Sequence, residues 1–190
     1  MIGPDFFIRR QPVKMKSKDP IIIRKVVNEE ASLLREVQIS TFMETFAAFN
    51  TEENMRQYIS DSFSEEKVEK ELSDPDCTFY FAVWEEMPVG YLKVNTAAAQ
   101  TDLNDPLSLE IERIYVLQSM KGKKIGKKLM KQAFLHAKTM GCAYIWLGVW
   151  EMNRPAIEFY EYAGFRVFGE HSFVLGEDIQ KDLLMRKDVI

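Results

Sequence analysis

The chain is poor in cysteine and histidine, with two of each among 190 residues. Cys77 and Cys142 lie far apart and form no CxxC pair, so they predict free, buried thiols in a reducing compartment rather than a disulfide framework. His136 and His171 are too few and too distant in sequence to indicate a metal site. We therefore expect a cytoplasmic protein that binds no metal.

Long apolar runs are also missing. No segment approaches the roughly 20 apolar residues that a membrane-spanning helix needs, so we expect no membrane association. Residues 1–20 are basic, carry no apolar core and are interrupted by Pro4, Pro12 and Pro20, which does not fit a secretion signal. The length suits one domain. We predict a loosely ordered extension at residues 1–20 and a single domain at residues 21–190.

An excess of positive charge is absent too. The chain has 25 Lys and Arg against 29 Asp and Glu, a formal net charge of −4. Nucleic-acid binding leaves a basic face, and the sequence shows neither such a face nor a helix-turn-helix, so we expect no nucleic-acid partner. A mildly acidic protein suits a cationic substrate. The oligomeric state stays open, and a homodimer is compatible with the sequence.

Alternating extended and helical segments predict one α/β domain with a mixed sheet. The predicted element order is β-α-α-β-β-β-α-β-α-β-β, with a further short helix before the second strand. A strand at 109–116, a helix from Ile125 and an apolar strand at 143–150 form a β-α-β unit. The two strands of that unit should be parallel and joined by a right-handed crossover.

A basic loop containing glycine connects the strand at 109–116 to the helix from Ile125. The unpaired N–H groups at a helix N-terminus bind anions, and Gly122 and Gly126 allow tight turning and close approach of a ligand. We interpret this junction as a phosphate site, with a solvated helix face as the alternative. The lysines around it are Lys121, Lys123, Lys124, Lys127 and Lys128.

A second motif, N-x-x-A-x-x-F-Y-x-x-x-G-F, spans residues 153–165. Together with the element order and the basic loop, it resembles the GNAT acyl-CoA N-acetyltransferases, and the resemblance covers residues 21–190. Within that superfamily the chain is most similar to the bacterial PaiA-type spermidine/spermine N-acetyltransferases. The supporting stretches are SLEIERIYV (108–116), IWLGVWEMN (145–153), AIEFYEYAGF (156–165) and HSFVLG (171–176).

The resemblance implies transfer of an acetyl group from acetyl-CoA, the co-substrate, to a primary amine of a small molecule, foremost a polyamine. It also implies a GNAT-like twisted sheet whose parallel fourth and fifth strands splay around the cofactor. The pantetheine arm would pair with the fourth strand, and the pyrophosphate would rest on the loop. The expected cofactor contacts are Ile114, Tyr115, Val116, Lys121, Gly122, Lys123, Lys124, Ile125, Gly126, Lys127, Asn153 and Tyr160.

The loop departs from the family pattern Gln/Arg-x-x-Gly-x-Gly/Ala at two of its three defining positions. Aligned without gaps, Lys121 takes the first position, Lys124 the first glycine and Gly126 the last. Lys121 supplies similar charge with different geometry. Lys124 places a Cβ where backbone N–H groups would face phosphate. We expect CoA binding to survive, and whether Lys124 weakens it stays open.

The resemblance makes Tyr160 the general acid that protonates the departing CoA thiolate; an aromatic core residue is the alternative. Glu112 is the candidate base or amine anchor, and Glu110, on the same strand face, is the alternative to it. An ion pair of Glu112 with Arg113 or a loop lysine is the competing interpretation. The expected substrate contacts are Glu110, Phe42 and Phe46.

Two other functions remain open at this point. The same chemistry could act on a protein N-terminus, a lysine side chain or an aminoglycoside. Alternatively, the altered loop could belong to a CoA-binding regulatory protein with little turnover. Acetylation of a panel of amines separates these possibilities from a polyamine acetyltransferase.

Overall fold

The computed structural model of the chain describes residues 21–175 and 178–189, without side chains at 173–175 and 178–180. The predicted extension at 1–20 lies outside the described residues. Three helices separate the first two strands, and the third is the further short helix that the sequence predicts before the second strand. The elements are β1 (Ile22–Lys25), α1 (Ala31–Phe46), α2 (Glu52–Ser62), α3 (Glu65–Ser73), β2 (Cys77–Trp84), β3 (Met87–Asn95), β4 (Ser108–Val116), α4 (Ile125–Met140), β5 (Tyr144–Trp150), α5 (Arg154–Tyr162), β6 (Arg166–Leu175) and β7 (Asp178–Asp188).

Side-chain caps mark the beginning of three of the described helices, α2, α3 and α5. Thr51 and Ser64 precede α2 and α3, and each side chain accepts a hydrogen bond from a backbone N–H in the first turn. Asn153 caps α5 in the same way by accepting from the N–H of Ala156, and Pro155 follows in the first turn. The cap therefore holds the N-terminus of α5 close to the end of β5.

Seven strands form one sheet in the order β1-β2-β3-β4-β5-β7-β6. The β4–β5 pair is parallel, as predicted, and every other neighbouring pair is antiparallel. Pairing between β4 and β5 is confined to residues 108–110 and 144–146. Beyond that point β4 stays on β3 and β5 stays on β7, so the two strands diverge and leave a cleft.

A β-bulge interrupts β4 at Glu112. Lys93 lies opposite Arg113 and Val94 opposite Ile111, so Glu112 has no partner on β3. The extra residue reverses the alternation of side chains along the strand. Ile111 packs in the core beneath α4, whereas Arg113, two residues later, lies over the ring of Phe63 on the other face.

Helices cover both faces of the sheet. On one face α4 and α5 bury residues such as Leu109, Leu129 and Ile145, and on the other α1 and α3 bury Phe79 and Tyr91. Each large apolar side chain removed from water contributes about 1.5–3 kcal/mol. The sheet is thereby held rigid around the point where β4 and β5 separate. None of the helices in the described ranges is long and apolar enough to cross a membrane.

Candidate active site

A cavity of about 840 Å³ occupies the cleft between β4 and β5. Its lining includes residues from α1 and α2 on one face of the sheet, from α4 and α5 on the other, and residues 110–116 of β4. Cavities of this volume accommodate ligands of cofactor size. The cleft therefore connects the basic loop with the face that carries the two glutamates.

One edge of β4 is open to this cavity. From Ile111 to Val116 the strand pairs with β3 on one side, and on the β5 side no strand among the described residues pairs with it. Unpaired backbone N–H and C=O groups need partners, and an extended ligand containing amides can supply them. The expected contacts Ile114, Tyr115 and Val116 all line this edge.

The loop between β4 and α4 forms one end of the cavity. Lys121, Gly122, Lys124, Gly126 and Lys127 line it, as does Ile125. Lys123 does not: its Nζ lies 5.7 Å from the ring centroid of Trp84. Lys128 also points elsewhere, because its Nζ donates to the carbonyl of Ile21 at 3.0 Å. The described geometry thus brings most of the expected loop contacts together and leaves Lys123 at the margin.

Lys124 adopts the left-handed conformation directly before α4, with φ 62° and ψ 18°. This is the position at which the family pattern has its first glycine. A side chain in this conformation costs about 1–2 kcal/mol. Gly122 is also left-handed, with φ 81°, and no atom lies within 4 Å of the place where a Cβ would stand. The loop therefore has two residues in the left-handed conformation, of which one is glycine (Gly122) and the other is Lys124.

These two positions give a matched prediction. We expect Lys124→Gly to raise the melting temperature by about 2–4 °C, because it removes strain worth about 1 kcal/mol in a chain of this length. Gly122→Ala should lower the melting temperature by a similar amount, because it places a Cβ on a residue with left-handed backbone geometry. No neighbouring atom would clash with that Cβ, so the change would report the backbone strain alone. Thermal unfolding measures both changes. A lower melting temperature for Lys124→Gly would show that the lysine side chain contributes more than its backbone costs.

Tyr160 lies on α5, is 8% exposed and faces the cavity. Its ring packs against Phe159 and Phe165. Burial raises the pKa of the Tyr160 phenol, so the hydroxyl keeps its proton at neutral pH. No other side chain or backbone group in the part of the chain that the structure describes bonds to this hydroxyl, which leaves it able to donate to a ligand.

Glu112 is held by three neighbours. Its carboxylate is 2.5 Å from Nζ of Lys93 and 3.1 Å from Nη2 of Arg113, and it accepts from Nδ2 of Asn95 at 2.6 Å. Burial raises the pKa of Glu112, but the two cations more than offset this and lower the pKa to about 2. The ion pair with Arg113 is thus present, and the lysine partner comes from β3 rather than from the loop.

Glu110 has a different environment. It is 2% exposed and accepts hydrogen bonds from the N–H and hydroxyl of Thr101 and from Nδ2 of Asn95. No described lysine, arginine or histidine forms an ion pair with it. Burial raises the pKa of the Glu110 carboxyl, although its hydrogen bonds act in the opposite direction. Both glutamates line the cavity, as the period-2 spacing on β4 predicted.

Aromatic and acidic side chains also line the cavity. Phe42 and Tyr58 stack with centroids 4.3 Å apart, and Phe46 lies beside them. Across the cavity are residues that the sequence did not indicate: Thr101 and Asp102 from the β3–β4 connection, His171 from β6 and Asp182 from β7. Asp102 and His171 form a contact of 3.1 Å. No local sequence signal marks these residues, because only the folded sheet brings the β3–β4 connection and the β6–β7 hairpin to the same cleft.

The described residues of the cavity include no group of side chains that could bind a metal ion. Within residues 21–175 and 178–189, no three His, Cys, Asp or Glu side chains are grouped so that they could hold a metal ion. The polar groups that face the cavity are instead hydrogen-bond donors at one end and carboxylates at the other. They fit a ligand with an anionic part and a cationic part.

Comparison with known proteins agrees with this arrangement. The model of the acetyltransferase (GNAT) family matches residues 40–165. An uncharacterised N-acetyltransferase from Lactobacillus delbrueckii subsp. lactis is 38% identical over 79% of this chain and 87% of its own. The spermidine N(1)-acetyltransferase of Thermoplasma acidophilum is 28% identical over 77% of this chain and 89% of its own.

Among solved structures, the PaiA N-acetyltransferase of Thermoplasma acidophilum in complex with coenzyme A superimposes with a TM-score of 0.73 at 27% identity. The match covers 89% of this chain and 99% of that one. The likeness to a structure that holds coenzyme A supports acetyl-CoA as the co-substrate of this chain. The chain belongs to the GNAT family and is an acetyl-CoA-dependent N-acetyltransferase.

Proposed function

We propose that the enzyme acetylates a primary amine of a polyamine of the spermidine and spermine class. The observation that carries this proposal is the combination of side chains in one cavity. The aromatic rings of Phe42, Phe46 and Tyr58 line it, and so do the carboxylates of Glu110, Asp102 and Asp182. A flexible chain of methylene groups and ammonium ions matches apolar and acidic walls in one cavity. The similarity to the Thermoplasma spermidine acetyltransferase supports the same substrate class.

For the co-substrate we propose that loop residues 121–127 hold the pyrophosphate of acetyl-CoA and that residues 114–116 pair with its pantetheine arm. Asn153 would contribute chiefly by capping α5, so that Tyr160 on that helix faces the thioester sulfur. Acetyl-CoA supplies an activated acyl group with a thiolate leaving group. The chain's own residues then have to move two protons and exclude water.

The acceptor amine must first lose a proton. With a pKa around that of lysine, about 10.4, it is protonated at neutral pH and has no lone pair for attack. A carboxylate on β4 receives the proton from the ammonium and leaves the electron pair on nitrogen. Nitrogen then bonds to the acetyl carbon as the carbon–sulfur bond breaks, and the Tyr160 hydroxyl gives its proton to the sulfur. The second proton of the amine restores the Tyr160 hydroxyl, and the proton held by the carboxylate passes to solvent, so that each turnover releases one proton.

A panel of amines tests the substrate class. We expect kcat/KM for spermidine or spermine to exceed that for a monoamine of similar chain length by about tenfold or more, since the acidic wall adds binding for a second ammonium. CoA release gives the rates, and mass spectrometry of the products identifies the acetylated nitrogen. A higher kcat/KM for a peptide N-terminus, a lysine side chain or an aminoglycoside would refute the polyamine assignment. Calorimetric binding of acetyl-CoA without turnover on any amine would favour the regulatory alternative.

We also propose that the enzyme works in the cytoplasm. Cys77 and Cys142 are free and buried in the described structure. Burial raises the pKa of the Cys77 thiol to about 12, so it stays protonated and unreactive. Thiols held in this state are typical of proteins in a reducing compartment.

A further inference from the structure

One histidine neighbours two of the carboxylates that line the cavity. Nδ1 of His171, on β6, is 3.1 Å from Oδ2 of Asp102 in the β3–β4 connection. His171 also lies directly opposite Asp182 in the β6–β7 pairing, and all three side chains line the cavity. Burial raises the pKa of Asp182, whereas the charge of a protonated His171 acts in the opposite direction. The histidine therefore interacts with both carboxylates.

The contact between His171 and Asp102 is exposed enough for a ligand to replace it. The two side chains are 50% and 35% exposed, and ion pairs at such exposure contribute little free energy. The backbone that carries Asp102 is held by the preceding residue, because Thr101 donates two hydrogen bonds to Glu110. A ligand ammonium can therefore take the place of the imidazole without moving the carboxylate.

Other charged groups lie around this histidine. On its own hairpin, Lys181 and Glu170 pair with each other at 3.2 Å. On β4, Glu110 accepts from Thr101, as described above. A buried network of ion pairs comprises Glu71, Lys93, Glu112 and Arg113. The remaining titratable side chains of the lining are Tyr58, Tyr115, Tyr160, Lys121, Lys124 and Lys127.

His171 is the one histidine among the described residues that line the cavity. Histidine is the side chain that ordinarily gains or loses its charge near neutral pH. The imidazole can thus present the neighbouring carboxylates with a cation or with a neutral group.

Resting on the proposed acetylation of polyamines, we propose that His171 determines specificity because its cationic form occupies the place of the substrate's second ammonium beside Asp102 and Asp182. A cationic imidazole pairs with Asp102 and repels the incoming ammonium. A neutral imidazole leaves the charge of the two carboxylates uncompensated, and they bind the ammonium instead. A monoamine has no second ammonium, so its binding does not depend on this exchange. The charge of one side chain therefore sets the preference for polyamines.

Two substitutions fix the charge at this position. His171→Gln places a neutral side chain there, and His171→Lys places a cation. The measured quantity is the ratio of kcat/KM for spermidine to kcat/KM for a monoamine of similar chain length. We expect this ratio to be about fivefold or more higher in His171→Gln than in His171→Lys, because one positive charge close to the second ammonium is absent. The deprotonation of the acceptor amine is common to both substrates and divides out of the ratio.

The wild-type enzyme should move between the two variants with pH. Its ratio should rise from the value of His171→Lys towards that of His171→Gln as the pH is raised, since an imidazole loses its charge in that direction. The ratio in each variant should stay constant over the same range. Because the wild-type profile needs no substitution, it tests the proposal even if a variant does not fold.

The chain's other histidine provides a matched control. Nδ1 of His136 is 2.8 Å from the hydroxyl of Tyr80, and His136 does not line the cavity. His136→Gln should therefore keep the wild-type ratio and its pH dependence. Equal ratios in the two variants at position 171, or a wild-type ratio that does not change with pH, would overturn the role of His171 while leaving a polyamine preference intact. If even His171→Gln shows no preference for spermidine over the monoamine, both this proposal and the polyamine assignment fail.

Discussion

Replacing Tyr160 with phenylalanine should lower kcat by about 100- to 10,000-fold, the usual contribution of a positioned acid. The hydroxyl has no partner among the described groups and burial raises its pKa further, which supports the proposal that it donates to a ligand in the cavity. The affinity for acetyl-CoA should change little, because the ring and its contacts with Phe159 and Phe165 remain. Steady-state kinetics together with calorimetry separates the two effects.

The same helix provides a control for this substitution. Tyr162 is 79% exposed and does not line the cavity. Tyr162→Phe should therefore leave kcat at the wild-type value, although both changes remove one phenolic oxygen from α5. A kcat for Tyr160→Phe within about threefold of the wild type would remove Tyr160 from the mechanism.

Replacing Lys93 with methionine should destabilise the protein by about 3–5 kcal/mol, because it leaves Glu71 and Glu112 buried beside each other with one cation fewer. The Lys93 side chain is 5% exposed and lies within 2.9 Å of both carboxylates. Urea unfolding at neutral pH measures the change. Adding Glu112→Gln to the variant should restore part of the loss, since it removes one uncompensated charge.

An exposed ion pair of the same type provides the control for Lys93. Lys181 and Glu170 are 3.2 Å apart with side chains 42% and 63% exposed. Lys181→Met should change the free energy of unfolding by less than about 1 kcal/mol, as is usual for surface pairs. An equally small effect of Lys93→Met would show that the network contributes little to the stability of the fold.

The network also predicts how stability depends on pH. The pKa of Glu112 falls from 4.5 to about 2 on folding, so its ionised form stabilises the folded protein at neutral pH. This contribution is fully present above the unfolded value and is lost as pH falls through about 2. Acid titration of Glu112→Gln should lack that part of the decline.

The sequence was sufficient for the elements whose signals are local. The β-α-β unit follows from residue periodicity, and Asn153 before Pro155 marks the start of α5. The bulge at Glu112 could not be predicted, because it depends on how β4 pairs with β3. In the sequence alone, Ile111 and Arg113 occupy ordinary period-2 positions of a strand. Asp102 and Asp182 were missed for a similar reason, since only the order of strands in the sheet brings them to one cavity.

The loop lies between these two cases. The departure of Lys124 from the family pattern was visible in the sequence, but its backbone conformation was not. The structure gives it the left-handed geometry that glycine adopts most easily. Lys124 adopts this conformation at the expense of local strain, whereas a Cβ added at Gly126 would stand at ordinary contact distance from the ring of Phe159.

The short pairing of β4 with β5 has a consequence for how binding and folding are linked. Among the described residues, the backbone hydrogen bonds that join β1–β4 to β5–β7 are confined to residues 107–110 and 143–146. A co-substrate that pairs with the free edge of β4 completes the connection between these two halves. The stabilisation from binding, about 2.7 kcal/mol at a ligand concentration of 100 times Kd, should therefore be concentrated there. Amide hydrogen exchange along β4 and β5 would slow more than exchange in β1 and β2 when acetyl-CoA is added.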